Sequence, residues 1–131
     1  MKLNTYRSIR LIALSWAIAV LLGALGAHFL KSQLSPESLD SFHVGLRYHF
    51  YFNIASLLII LIGKQLEIKR ISLILSIMSV GTILFSGSIY LLSTKELTGL
   101  TVSVLGPVTP LGGLLIIMSW LMLFFNLKVK K

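Results

Sequence analysis

ISLILSIMSVGTILFSGSIYLL, residues 71–92, is a run of 22 residues without one charged side chain. A helix needs about 20 mostly apolar residues to cross the hydrocarbon layer of a bilayer. Inside lipid every backbone N–H and C=O must find its partner within the protein, so such a run forms a helix. Three further runs accompany it: Leu11–Leu30, Phe50–Gly63 and Leu111–Leu127. The second reaches full length if its helix begins near Val44. The sequence therefore predicts an all-α membrane protein: an antiparallel bundle of four transmembrane helices over residues 8–31, 44–63, 70–92 and 110–127. All 131 residues form one domain, with no room for a separate soluble unit.

Composition supports this reading. Only 12% of residues are charged and 56% are hydrophobic, against roughly 25% charged in a soluble domain. There is no cysteine, which excludes disulfides, thiolate metal sites and cysteine nucleophiles. The net charge of +8 suggests a nucleic-acid partner until its distribution is read. Lys2, Arg7 and Arg10 precede the first run. Lys64, Lys69 and Arg70 lie between the second and third, and Lys128, Lys130 and Lys131 follow the fourth. With four crossings all nine fall on one side, leaving Lys31, Arg47 and Lys95 on the other. Cytoplasmic loops are enriched in Lys and Arg. We therefore expect both termini in the cytoplasm, a bacterial plasma (inner) membrane location, and no nucleic-acid partner. The basic N-terminal flank and Ala24–Ala27 resemble a secretory signal peptide, but the apolar run is longer than a signal core, so a retained first helix is expected.

Along the chain, small residues recur where helices can approach closely. Ser15, Ala19, Gly23 and Ala27 fall every fourth residue on helix 1, a spacing that serves packing within the bundle or self-association. Ser35-Pro36-Glu37 reads as a cap and first turn. It opens a short interfacial helix between helices 1 and 2, which runs into helix 2 directly or through a bend at Gly45. Helix 2 carries the most polar face, with His49, Asn53 and Ser56 on one side. On helix 3, Ser72, Ser76, Ser79, Ile83, Ser86 and Tyr90 form a seam, with Gly87 and Ser88 beside it. Packing is the default for this seam, because serine can return its hydroxyl to the carbonyl four residues back. A serine-lined solute path is the alternative. Leu100–Leu105 should lie on the membrane surface or fold back on the bundle. Thr109-Pro110 reads as the cap and first turn of helix 4, and Gly112 and Gly113 as close-packing positions.

Three segments resemble a known family. They are Gly23-Ala24-Leu25-Gly26-Ala27-His28, Phe85-Ser86-Gly87-Ser88-Ile89-Tyr90, and Thr109-Pro110-Leu111-Gly112-Gly113 followed by Trp120. Their order and spacing are similar to the domain of unknown function 423 family, which includes small bacterial inner-membrane proteins and the vertebrate transmembrane protein 256. The resemblance covers most of the chain. It implies four membrane helices and no settled activity, substrate or cofactor. Family members often carry Tyr-Gln near positions 48 and 49 and a histidine near 52. This chain has Tyr48-His49 and Phe52 there.

Few residues form a chemical set. His28, His43 and His49 all fall on the expected outer side, and antiparallel packing would bring His28 toward His49. A metal or haem reading follows from imidazole chemistry, but no carboxylate or cysteine supports it at ligand spacing. Glu37, Asp40, Glu67 and Glu96 lie in connections, which argues against a proton-driven exporter. No nucleophile, base and orienting group fall at workable spacing, so no enzymatic activity is expected and no cofactor is required. The candidate polar site comprises His28, Arg47, Tyr48, His49, Asn53, Ser86, Tyr90 and Thr109. The leading expectation is a membrane protein acting by interaction, as scaffold, accessory subunit or lipid-contacting bundle. Its partners would be the lipid bilayer and either another membrane protein or a second copy. The alternatives are a small-solute or ion pathway along Asn53, Ser56, Ser76, Ser79 and Ser86, and outer-face metal or haem binding through His28 and His49.

Overall fold

A computed structural model describes residues 4–63, 65–99 and 103–127. Lys2, Lys64, Lys128, Lys130 and Lys131 lie outside the described residues, as does the first part of the apolar stretch 100–105. Four long helices carry the fold: α1 (Thr5–Gln33), α2 (Pro36–Gly63), α3 (Ile71–Ser93) and α4 (Val108–Asn126). No strand occurs among the described residues. Each helix is long and apolar enough to span a bilayer. Four crossings leave the chain ends on one face, called here the basic end because it carries Arg7, Arg10, Lys69 and Arg70.

Local chemistry sets the ends of these helices. Asn4 caps α1, its Oδ1 accepting from the Arg7 N–H at 3.0 Å. Near its far end α1 widens into a π-helical turn, Gly26–Leu30. A Cβ on Gly26 would lie 3.0 Å from a ring carbon of Phe42, so this glycine lets α1 approach α2 there. Ser35 caps α2 as expected, accepting from the Ser38 N–H at 3.2 Å. The segment expected as an interfacial helix runs into helix 2 directly, one of the two junctions expected, giving one element from Pro36 to Gly63. Gly45 does not bend it. A Cβ there would sit 2.9 Å from Ile89, so Gly45 serves the close approach of α2 to α3. Helix α4 starts at Val108, one residue before the expected cap, with Pro107 in the cap position. Pro110 falls in the first turn, where a missing N–H costs no helical bond.

The helices pack in chain order. The closest pairing is α3 with α4, followed by α2 with α3 and then α1 with α2, while α1 meets α3 at most marginally. Two apolar clusters hold the bundle. One lies toward the basic end around Ile12, Ile59, Ile60, Ile74 and Met78. The other joins Leu30, Leu34 and Phe42 near the opposite end. The outer surface remains apolar, with Phe124 69% and Phe125 76% exposed. Such a surface would drive aggregation in water and is what hydrocarbon requires. The protein is an integral, multi-pass membrane protein.

Candidate functional site

Because α1 leans on α2 and stops short of α3, an open groove of about 610 Å³ lies between α1 and α3, with α2 as its floor. It runs from Ser8 and Ser72 toward the basic end to Leu22 and Tyr90 near the other. None of the lining residues is Lys, Arg, Asp or Glu. Its walls are mostly apolar, with one line of polar side chains.

The polar line is a hydrogen-bonded chain through three helices. Ser15 Oγ donates to Asn53 Oδ1 at 3.0 Å. The same oxygen lies 2.8 Å from His49 Nε2, and His49 Nδ1 lies 3.1 Å from the Tyr90 hydroxyl. A serine hydroxyl has one proton. With it directed to Asn53, the His49 Nε2–H donates to Ser15, and the Tyr90 O–H donates to Nδ1. The chain thus runs Tyr90, His49, Ser15, Asn53, each link donating to the next. It ties α1 to α2 and α2 to α3 between the two apolar clusters. Asn53 stands about 15 Å along α2 from Gly63, near mid-span, and from there the chain rises to Tyr90, about 4.5 Å from the Ser93 end of α3.

Among the described residues three buried side-chain atoms have no hydrogen bond: Trp16 Nε1, Asn53 Nδ2 and Ser86 Oγ. Asn53 and Ser86 line the groove, although these two atoms are themselves buried. Ser86 stands apart from its neighbours on α3. Ser76 donates to the Ser72 carbonyl at 2.9 Å, and Thr82 to the Met78 carbonyl at 2.8 Å. Ser93 likewise donates to the Ile89 carbonyl at 2.7 Å. These follow the return bond to the preceding turn; Ser86 does not.

The structure divides the sequence-predicted site. His49, Asn53, Ser86 and Tyr90 come together at the groove. Arg47 and Tyr48 sit on the exposed flank of α2, where Tyr48 packs against Phe52 and Phe85. Thr109 belongs to the α3–α4 contact, its Oγ1 2.6 Å from Ser88 Oγ. His28 is exposed on the π-helical turn, about 20 Å along α1 from Ser15. The expected meeting of His28 with His49 does not occur, and both ring nitrogens of His49 are already hydrogen-bonded. Among the described residues no group of three His, Cys, Asp or Glu could hold a metal.

The packing assignments divide too. On α1, Ala19 is fully buried and Gly23 faces Leu46, but Ala27 is exposed. The π-helical turn breaks the four-residue repeat just before Ala27. Ser76 and Ser79 meet no helix and face the groove, with Ser72 half-buried beside them. Nothing lies within 4 Å of a Cβ built on Gly87. The tight seam is elsewhere on α3. A Cβ on Gly112 would strike the backbone nitrogen of Phe85 and lie 2.9 Å from the Gly81 carbonyl oxygen, while one on Gly113 would make ordinary contact with Phe85. Sequence reasoning missed Gly81 as the partner of Gly112. It also took Ser15, the hub of the polar chain, for a packing residue. A lone hydroxyl at mid-depth of α1, level with the polar face of α2, was the available signal.

Comparison with known proteins places the chain. The profile of a family described as "Protein of unknown function (DUF423)" matches residues 22–113. A UPF0382 membrane protein of Bacillus subtilis, YwdK, is 36% identical over 112 residues, covering 85% of this chain and 87% of the relative. Another, from Haemophilus influenzae, is 34% identical over 116 residues, covering 88% and 89%. A third, from Staphylococcus saprophyticus, is 34% identical over 111 residues, covering 85% and 88%. No solved structure matches. With the matched region reaching from helix α1 into helix α4, the chain belongs to the DUF423 family of small bacterial membrane proteins.

Proposed function

We propose that this is a non-enzymatic protein of the bacterial plasma membrane that works by interaction, holding a hydrocarbon-phase occupant in the groove between α1 and α3. The observation that carries the reading is the incomplete closure of the bundle. A closed up-down four-helix bundle would bring α1 onto α4 as well as α2; here α1 pairs substantially with α2 alone, and a mostly apolar groove spans much of the membrane depth. Its volume falls in the range of small-molecule sites, about 300–1,000 Å³. The orientation we propose puts both termini in the cytoplasm, supported by the nine Lys and Arg that flank the spans on that side of the sequence against Lys31, Arg47 and Lys95 on the other.

Site-specific photocrosslinking in native membranes tests this reading. A photoreactive residue at Ser79 or Ile83, on the groove wall, should give a discrete adduct. The same residue at Phe124, on the exposed side of α4, should label bulk lipid alone. Identical labelling from both positions would remove the proposal. Solute flux into liposomes that disappears in Asn53→Leu would replace it with the pathway reading.

A further inference from the structure

We infer that His49 is a proton-operated switch on the groove. Uncharged, it completes the hydrogen-bonded chain that ties α1, α2 and α3 together. Protonated, it reverses the Tyr90 link and turns an apolar groove into one that admits water. The inference goes beyond the groove-binding reading and does not need it, because an empty groove carries the same chain.

The direction of the chain sets the state of the ring. Asn53 Oδ1 only accepts, so the 3.0 Å contact takes the Ser15 proton. Ser15 Oγ then offers His49 only a lone pair, so Nε2, 2.8 Å away, carries a proton and donates it. A neutral imidazole has one N–H, which leaves Nδ1 as an acceptor. The Tyr90 hydroxyl, 3.1 Å from Nδ1, is the donor that fills it. Each link has one donor and one acceptor only while His49 is uncharged.

One added proton changes one link. It binds the Nδ1 lone pair and sets an N–H opposite the Tyr90 O–H. The hydroxyl turns: its oxygen accepts from Nδ1–H and its hydrogen loses its acceptor, while Nε2–H still donates to Ser15. No covalent bond breaks, and the ring gains one charge. Nothing beside it balances that charge. From α1 the ring faces Ser15, and from α3 it faces Tyr90, the other titratable residue on the groove. Helix α4 contributes no lining residue. Arg7 and Arg10 of α1 lie toward the basic end, and His28 is exposed on the π-helical turn. On α2 itself, Glu37 and Asp40 are about 13 Å or more along the helix from His49. Arg47, Tyr48 and Tyr51 are exposed, and His43 lies against Gly26 of α1. A cation without a partner in an apolar site is costly, and water is what can solvate it. Tyr90 stands near the Ser93 end of α3, so proton and water have a short way in from that end. An apolar occupant is compatible with the neutral chain and is opposed by the charged one.

A label in the groove gives the test. The chain has no cysteine, so one introduced thiol is labelled alone. Gly87 lines the groove and has nothing within 4 Å of a Cβ built on it, so Gly87→Cys accepts a nitroxide. Phe124→Cys, on the exposed side of α4, is the lipid reference. In phosphatidylcholine nanodiscs in heavy water, deuterium modulation of the nitroxide echo reads water beside the label. The full chain is titrated from about pH 8 to about pH 4, which brackets most imidazoles in folded proteins. The signal at position 87 should rise along a single-proton curve, and the signal at position 124 should stay flat. His49→Gln keeps a donor for Ser15 and an acceptor for Tyr90 without titrating, and the rise should be lost in it. His28→Gln and His43→Gln should keep the rise. In the chain carrying both of these substitutions, nitrogen NMR sees the His49 ring by itself. It should show a protonated Nε2 and a bare Nδ1 at high pH, and two protonated nitrogens at low pH. Circular dichroism confirms that each variant remains helical, and the NMR reading does not depend on His49→Gln folding. A flat signal at position 87 while the ring titrates overturns the inference, as does a rise that survives in His49→Gln. A bare Nε2 at high pH, or a ring that stays neutral throughout, also overturns it. The Ser79 photoadduct is read at one pH and tests the occupant separately.

Discussion

Helix α3 makes two kinds of contact along its length, and they are built on opposite principles. Toward α4 it presents Gly81 to Gly112, with backbone against backbone and no space for a methyl group. Toward α1 it presents Ser72, Ser76, Ser79 and Gly87 to open space. Lipid tails are as apolar as leucine, so helices in a membrane gain little by burying apolar side chains and join through close packing and hydrogen bonds. The α3–α4 seam uses both, adding the Ser88–Thr109 contact of 2.6 Å. On the other side α1 is held to α2, by the hydrogen-bonded chain and by packing at Gly23 and Gly26, leaving α3 uncovered. Only 17% of the most apolar window of α1 is buried, against 39% for α2 and for α3. One side of α3 is a weld and the other is a door frame.

Substitutions that act on one side and spare the other sharpen this contrast. The largest effect is expected from Gly112→Leu, which drives a side chain into the Phe85 and Gly81 backbone. It should cost about 3 kcal/mol or more, read as lost thermal stability in detergent or failure to accumulate. A melt matching the parent would show that α3 and α4 do not meet this closely. Next is His49→Leu, which leaves the Tyr90 hydroxyl and Ser15 without their shared partner. The expected loss is about 1–3 kcal/mol. Exchange protection should fall at α1 while α4 keeps its own; uniform loss across all four helices would contradict separate attachment. Thr109→Val removes one contact from the tight seam and should cost about 0.6 kcal/mol, the average for interhelical bonds in a membrane. A loss comparable to Gly112→Leu would mean that the hydroxyl pair, and not the glycine contact, holds α4. Smallest is Gly87→Ala. With nothing within 4 Å, it should be neutral or stabilising by up to about 1 kcal/mol. Clear destabilisation would mean that a helix covers this side of α3 after all.

The four spans were legible because hydrocarbon demands long charge-free runs, and residues 71–92 carry that signal alone. The polar face of α2 was legible too, since His49, Asn53 and Ser56 share one helical side. What could not be read was which neighbour each face receives. Ser76 and Ser79 have the size and spacing of a packing row, and periodicity does not distinguish a row that meets a helix from one that lines a groove. His28 was assigned by its place in the chain, but the π-helical turn at Gly26–Leu30 resets the faces of α1 beyond Leu25. Gly45 and Gly81 are both close-approach positions, yet a glycine in a helix reads equally as a bend. Ser15 was placed correctly in a contact, but its hydroxyl became informative only once His49 and Asn53 stood opposite it.

The most direct test of an open α1–α3 side is hydrocarbon contact measured residue by residue. In magic-angle-spinning NMR of the labelled protein in bilayers, cross-peaks from acyl-chain or occupant CH₂ protons should reach Ser76, Ser79 and Gly87. They should be missing from Gly81, Gly112 and Ser119, which lie in the α3–α4 contact. Equal absence from both sets would show α1 closed against α3 and contradict the account.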